Sequence, residues 1–399
     1  MKSKPANNIQ DLQFFGEFGG VNPSISDSST YTFLSANSMS ETFEGNMEGC
    51  YLYSRNSSPS NLYLEEACAA LEDTETANVF SSGMGAITAT ILQLCKSEDH
   101  IISSRTVYGG TYAFLKNFTP QLKIETTFVD ITSLDDINNS IKPNTKIIYC
   151  EVSSNPLLEI ADLEEISKIA KKNNIKLVVD NTFTPLSVSP AKYGADVVIH
   201  SLTKFINGTS DTIAGVVCSS KEFIHSLRDV NDGAFMLMGT TMDSLRAASV
   251  LKNMRTLHIR MKKHSENAMY LAESFEKDGV KAVYPGLKSH PSHKIFSKMM
   301  NKEYGYGGMV TIDAGSLETA NKLMEKMQDK NLGYLAVSLG FHKTLFCAPG
   351  SSTSSEISEE EQEKMGLSEG LIRFSVGLDQ DISRTYEGIK KCLKEFNLI

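Results

Sequence analysis

"ADVVIHSLTKF", residues 195–205, runs from an apolar stretch straight into a lysine flanked by hydroxyls. Val197, Val198 and Ile199 are β-branched at successive positions, which suits a strand buried on both faces. Ser201, Thr203 and Lys204 follow at once. The carboxyl ends of strands in an open α/β sheet are where such folds place their chemistry, so Lys204 reads as a candidate reagent. Similar short runs recur at 77–80, 101–102, 126–129, 146–152, 176–180 and 214–218, with helical stretches between them. "IIYCEV" and "LVVDN" share the two-sided apolar character. This alternation predicts an α/β chain with a mostly parallel, doubly wound sheet.

Outward from that sheet the composition changes. Residues 1–60 are rich in Gly, Ser and Asn with isolated aromatics (Phe14, Phe15, Tyr31, Phe33, Tyr51, Tyr53), the makeup of an extended arm that completes a neighbouring subunit. From Asn61, the spacing of Leu62, Leu64, Ala67 and Leu71 predicts an amphipathic helix. A long helical stretch over 241–277, carrying Leu245, Ala248, Leu251, Met254 and Leu257, reads as a bridge to a second region. Beyond Gly279, "KAVYPGL", "GMVTIDA", "SLETANKLMEKM" and "LIRFSVGL" mix strands and helices, as in a smaller α+β domain. The expected division is an arm at 1–60, a large domain at 61–255 and a small domain at 256–399. Residues 351–361, Ser-rich and then Glu-rich, read as a loop entering a capped helix.

Bulk properties exclude several classes. With 399 residues, 41% hydrophobic and 22% charged, the chain has the composition of an enzyme-sized globular protein. Its 48 acidic and 39 basic residues give a net charge of −9, and no Lys/Arg run tracks a phosphate backbone, so nucleic acid is not an expected partner. The 7 cysteines form no CxxC pair, which argues against a zinc site or a disulfide framework. No metal is expected, and a reducing compartment fits best. The first dozen residues are polar and no stretch reaches the roughly 20 apolar residues of a membrane span. The expected location is the cytoplasm, with no membrane partner.

A lysine poised at a strand end can form a Schiff base with an aldehyde cofactor, and pyridoxal 5'-phosphate (PLP) is the cofactor of that kind. Its pyridine nitrogen requires a carboxylate, which Asp180 at the end of "LVVD" could supply. Its phosphate requires backbone N–H donors at a helix N-terminus, which "SSGMGA" (81–86) offers, with Ser201 and Thr203 adding hydroxyls. Each element has a blander reading. Lys204 could be a solvated end-of-strand charge, Asp180 a helix N-cap, and the glycines a tight turn. The ordered combination is more specific than any part.

The set "YSRNSSPS", "SSGMGA", "VYGGTYAFL", "EVSSNP", "VVDNTFTP", "HSLTKFINGTSD" and "IRFSVGL" resembles the Cys/Met-metabolism (trans-sulfuration) family of PLP enzymes, from about Gly16 to the C-terminus. The resemblance implies fold type I, the aspartate-aminotransferase-like architecture, in a homotetramer built as a dimer of dimers with active sites at subunit interfaces. It implies Lys204 as Schiff-base lysine and proton shuttle, and Asp180 as pyridinium partner. Gly83, Met84, Ser201 and Thr203 would hold the phosphate, with Tyr53 and Arg55 reaching it from the neighbouring chain. Tyr108 would stack on the ring and act as general acid, and Asn155 would contact the phenolic oxygen. Ser338 and Arg373 would hold the substrate carboxylate.

Family members that handle cystathionine carry a Glu where this chain has Val337 in "AVSLG", a position facing the substrate's distal amino group. Gly110 stands where bacterial methionine-cleaving members have a Cys, and Thr353-Ser354 replaces a usual Thr-His. "FGEFGGVN", "YPGLKSHPSHK", "YGYGG" and "GSSTSSE" resemble the plant-type methionine-cleaving subgroup. The implied reaction is α,γ-elimination of methionine to methanethiol, 2-oxobutanoate and ammonia. Cystathionine γ-cleavage or O-acetylhomoserine sulfhydrylation is the alternative within the family, and a PLP-fold pseudoenzyme the alternative outside it.

Overall fold

The computed structural model describes residues 4–43, 47, 49–354 and 357–399; Ser355 and Glu356 of the Ser-rich stretch therefore lie outside the described residues. Seven strands form the larger sheet: β1 (Thr76–Phe80), β2 (His100–Ser104), β3 (Glu125–Val129), β4 (Thr145–Glu151), β5 (Lys176–Asp180), β6 (Val197–His200) and β7 (Gly215–Ser219). Their order is β1-β7-β6-β5-β4-β2-β3. β3, β2, β4, β5 and β6 pair in parallel, while β7 is antiparallel to both β6 and β1. Each expected run in this region is a strand of that sheet, to within a few residues at its ends.

The two-sided apolar pattern has a direct cause in the packing. Val198, Val216 and Cys218 face the helices Pro59–Glu72 and Ser244–Met254, whereas Val197, Ile199 and Val217 pack on the other face with Ile87 and Ile91 of the helix Gly83–Leu94. Successive side chains point to opposite faces of a strand, so covering both faces makes every position apolar.

A second sheet lies C-terminal to the first: β8 (Ala282–Val283), β9 (Met309–Asp313), β10 (Tyr334–Leu335), β11 (Leu345–Cys347) and β12 (Leu371–Ser375), in the order β10-β11-β12-β9-β8. The helices Leu317–Asp329 and Ile382–Glu395 supply Leu323, Met327, Ile389 and Leu393 to its core.

Three expectations need revision. The stretch over 241–277 is two helices, Ser244–Met254 and Leu257–Lys277, separated at Arg255–Thr256. The helix expected from Asn61 begins at Pro59, capped by Ser58, and is buried on several sides, including Glu65 and Glu72. Glu72 Oε1 is held inside the protein by His200 Nε2 at 2.7 Å and Asn181 Nδ2 at 2.9 Å, while its Oε2 is buried without a partner. Finally, the first residues are not all an arm. The helix Pro5–Asp11 packs against the helix Pro59–Glu72, and Ala6, Ile9, Leu12 and Phe14 join the same core. Beyond the helix Pro5–Asp11, apolar side chains stand in solvent: Phe18 is 99% exposed and Leu34 is fully exposed.

Candidate active site

The carboxyl ends of β1, β4, β5 and β6, with the loop after β2, surround a cavity of about 280 Å³. Its lining includes Gly83, Met84, Tyr108, Asn155, Asp180, Ser201, Thr203, Lys204, Val337 and Arg373. These ten expected site residues come from seven separate stretches of chain, five around the larger sheet and two from the region of the second.

Lys204 lies four residues beyond the end of β6, in a turn closed by Lys204 N–H to Ser201 O at 3.2 Å and Gly208 N–H to Lys204 O at 2.8 Å. Its Nζ donates to Ser338 Oγ at 3.2 Å. Burial, assisted by the Arg373 charge, lowers its pKa from 10.5 to about 8. This is not a solvated strand-end charge. The amine is neutral above its pKa, and only the neutral amine attacks a carbonyl. Capture of pyridoxal phosphate by the cofactor-free protein should therefore accelerate with rising pH and level off above about 8. Stopped-flow absorbance checks this, and a rate still climbing at pH 10 would contradict it.

Asp180 ends β5 and is the lateral partner of Glu151 at the end of β4. Asp180 Oδ1 accepts the Thr182 N–H at 2.8 Å, so it closes a local turn and caps no helix. Burial raises the pKa of Asp180, opposed by its hydrogen bonds to Thr182. Burial and then the Asp180 charge push Glu151 well above the usual carboxylate range, against the pull of its two backbone donors. Two buried carboxyl groups side by side disfavour ionisation of both, so the pair tends to keep a proton.

The phosphate end is built at the helix Gly83–Leu94. Ser82 caps it, its Oγ accepting the Gly85 N–H at 2.9 Å, and the first-turn N–H groups have no helical acceptor. A Cβ on Gly83 would stand 2.8 Å from Ser201 Cβ, so glycine is what lets the β6 turn close against this helix. Thr203 Oγ1 is already engaged by Ala214, donating to its O at 3.2 Å and accepting its N–H at 3.0 Å. Ser201 is positioned by its own N–H, which donates to Thr182 Oγ1 at 2.8 Å.

Arg373, on β12, brings the second sheet to the cavity. It is 2% exposed; Nη1 donates to Asn155 Oδ1 at 2.7 Å and Nη2 to Val337 O at 3.2 Å, while Nε is buried without a partner. Asn155 thus holds Arg373 as well as lining the cavity. Tyr108 is partly exposed, directly before the helix Gly109–Ala113. Gly110 gives its ring room, since a Cβ there would lie 2.7 Å from Tyr108 Cε1 and 3.2 Å from Met84 Sδ. Val337 is also exposed and lines the cavity, as do Leu339 and Ile213.

Tyr53 and Arg55 do not line this cavity. Arg55 Nη1 donates to Met236 O at 2.8 Å, its guanidinium sits 5.8 Å from the Tyr53 ring centroid, and Tyr53 is exposed. Sequence reasoning missed Glu151, Ser82 and Thr182. Glu151 had a signal, being a carboxylate at the end of the apolar "IIYCEV", where an acid is rare unless paired.

These features fit PLP: an amine of lowered pKa, a carboxylate at a strand end, a glycine-cradled helix N-terminus, and cavity hydroxyls. Comparisons with known proteins agree. The family model described as Cys/Met metabolism PLP-dependent enzyme matches residues 8–392. A methionine gamma-lyase of Arabidopsis thaliana is 44% identical over 380 residues, covering 94% of this chain and 86% of that protein. An L-methionine gamma-lyase of Fusobacterium nucleatum subsp. polymorphum is 39% identical, covering 94% of each chain. Among solved structures, an O-acetylhomoserine (thiol)-lyase of Campylobacter jejuni containing N'-pyridoxyl-lysine-5'-monophosphate superposes with a TM-score of 0.90 at 29% identity, covering 98% of this chain and 100% of that one. With a matching fold, a lysine in a cavity suited to the cofactor, and a family model spanning nearly the whole chain, this protein belongs to the Cys/Met-metabolism family of PLP-dependent enzymes.

Proposed function

We propose that this chain is a methionine γ-lyase, converting methionine and water to methanethiol, 2-oxobutanoate and ammonia. The observation that carries the reading is the set of apolar side chains Val337, Leu339 and Ile213 in the lining of a cavity that also holds Lys204, Asp180 and Arg373. It suits a thioether tail without a distal charge. The two methionine gamma-lyases among the relatives support the same substrate.

When bound, PLP supplies an electron sink that acidifies the hydrogen on the amino-bearing carbon and then those on its neighbour, and Lys204 would hold its aldehyde carbon. Asp180 would sustain the proton on the ring nitrogen. The N–H groups at Gly83 and Met84, with Ser201 and Thr203, would hold the phosphate. Arg373 offers the substrate carboxylate a planar donor fork, braced by Asn155 and the Val337 carbonyl. Ser338, bonded to Lys204 Nζ, lies beside that fork. Lys204 takes and returns protons at the substrate carbons, a role that a pKa of about 8 suits near neutral pH. The Tyr108 phenol gives a proton to the departing sulfur. Release of 2-oxobutanoate and methanethiol in equal amounts from methionine tests the reaction; methionine left unchanged by the PLP-loaded protein would reject it.

Tyr53, Arg55 and the arm that carries them serve the neighbouring subunit's site in this reading, within a homotetramer built as a dimer of dimers. The exposure of Phe18, Val21 and Leu34 supports a partner surface. A large domain at 61–255 joined by the helix Pro5–Asp11, a small domain at 256–399, an arm between that helix and residue 60, and a cytoplasmic location belong to the same reading.

Val337 gives the substrate preference a test. Cystathionine would bring an ammonium to these apolar side chains with no counter-charge, and Val337→Glu supplies one while imposing a carboxylate on methionine's methyl group. Both effects favour cystathionine. Because Val337 is 59% exposed, solvent moderates the gain. The ratio of kcat/KM for cystathionine over methionine should rise roughly tenfold, equivalent to ~1.4 kcal/mol. An unchanged ratio would remove Val337 from the substrate's distal end.

A further inference from the structure

Glu151 is the one acidic side chain in the cavity lining, besides Asp180, and the mechanism above gives it no task. It is 7% exposed, and its two oxygens are divided between two loops. Oε1 accepts the Tyr108 N–H at 2.8 Å, and Oε2 accepts the Asn155 N–H at 2.9 Å. Tyr108 carries the phenol, and Asn155 Oδ1 holds Arg373 Nη1 at 2.7 Å. A single carboxylate, fixed at the end of a central strand, thus fastens the loop of the acid and the loop that braces the carboxylate fork. Both bonds run to backbone N–H groups. The helix after Tyr108 has no side-chain cap of its own, so Glu151 is what anchors the start of that segment.

We propose that Glu151 is a positioning residue that sets Tyr108 and Arg373 relative to each other, through the backbone amides of Tyr108 and Asn155. The inference rests on the roles given to Tyr108 and Arg373 under the proposed function. It assigns Glu151 no proton transfer.

Glu151→Gln tests it. The amide has nearly the same shape but one acceptor oxygen, so its NH₂ group must face one of the two N–H donors. In the PLP-loaded enzyme, kcat for methionine should fall about tenfold, equivalent to ~1.4 kcal/mol, within the range carried by one hydrogen bond. The thermal midpoint should stay close to wild type. Binding of L-norleucine, which matches methionine in length and has no sulfur to expel, reads the Arg373 arm by equilibrium dialysis; its Kd should rise severalfold. Combined with Tyr108→Phe, the Glu151→Gln cost in kcat should largely vanish, since a residue acting through the phenol has nothing left to position.

Wild-type kcat and norleucine affinity in Glu151→Gln would overturn the proposal. So would costs that multiply in the double variant with norleucine affinity unchanged. Full activity in Tyr108→Phe would instead reject the acid role, and norleucine affinity alone would then decide Glu151, a raised Kd supporting the proposal and an unchanged one overturning it. Should Glu151→Gln not fold, Glu151→Asp, which keeps the charge but withdraws it by one methylene, takes the same measurements with the same outcomes.

Discussion

Replacing Lys204 with alanine is expected to cut methionine elimination by roughly 10³- to 10⁴-fold or more, at or beyond the upper end of what one general acid–base group contributes. Lys204 loses more than a base, because the same Nζ would hold the cofactor and return protons to the product carbons. The fold should survive. The Lys204 side chain makes one hydrogen bond, to Ser338, and its burial already disfavours the charged form, so truncation gives up little stabilising interaction. Far-ultraviolet circular dichroism and the thermal midpoint check the fold, and 2-oxobutanoate release checks turnover. A variant retaining a tenth of wild-type activity would end the assignment.

The second large effect concerns the subunit interface. Arg55 is absent from the lining of its own chain's cavity and belongs to a segment with exposed Phe18, Leu34 and Tyr53. If it serves the neighbouring site, Arg55→Ala and Lys204→Ala chains are each nearly inactive alone but complement each other when mixed. In a hybrid pair, one site collects both defects and the other collects neither. Random exchange makes half the pairs hybrid, so activity should recover to about one quarter of wild type by the reciprocity of a two-fold interface. Mass spectrometry establishes that exchange took place. No recovery after exchange would return Arg55 to its own chain's site.

The larger sheet was legible because its strands are covered on both faces: the run Val197-Val198-Ile199 has no polar alternative at any position. The break at Arg255–Thr256 was not legible. Leu251, Met254 and Leu257 keep helical spacing across it because the ends of both helices bury into the same core. The start of the chain misled for a related reason. Ala6 and Ile9 are too few to mark a helix, and it is the neighbouring helix Pro59–Glu72 that makes their face worth burying. Within the site, Lys204, Asp180 and "SSGMGA" were readable from local chemistry, since each lies at the end of its own strand. Tyr108, Asn155, Ser338 and Arg373 entered only through family resemblance: Tyr108 and Asn155 lie in loops beyond the ends of their strands, and Ser338 and Arg373 reach the cavity only through the way the second sheet meets the first. Glu151 escaped notice because its partner Tyr108 is 43 residues away in sequence.

Comparing kcat/KM for L-methionine and L-cystathionine with the PLP-loaded wild-type enzyme is the most direct test of the central claim, that apolar side chains in the cavity lining select an uncharged thioether. The outcome expected is a higher kcat/KM for methionine, with methanethiol and 2-oxobutanoate appearing together. A higher kcat/KM for cystathionine would contradict the account and make cystathionine cleavage the activity of this site.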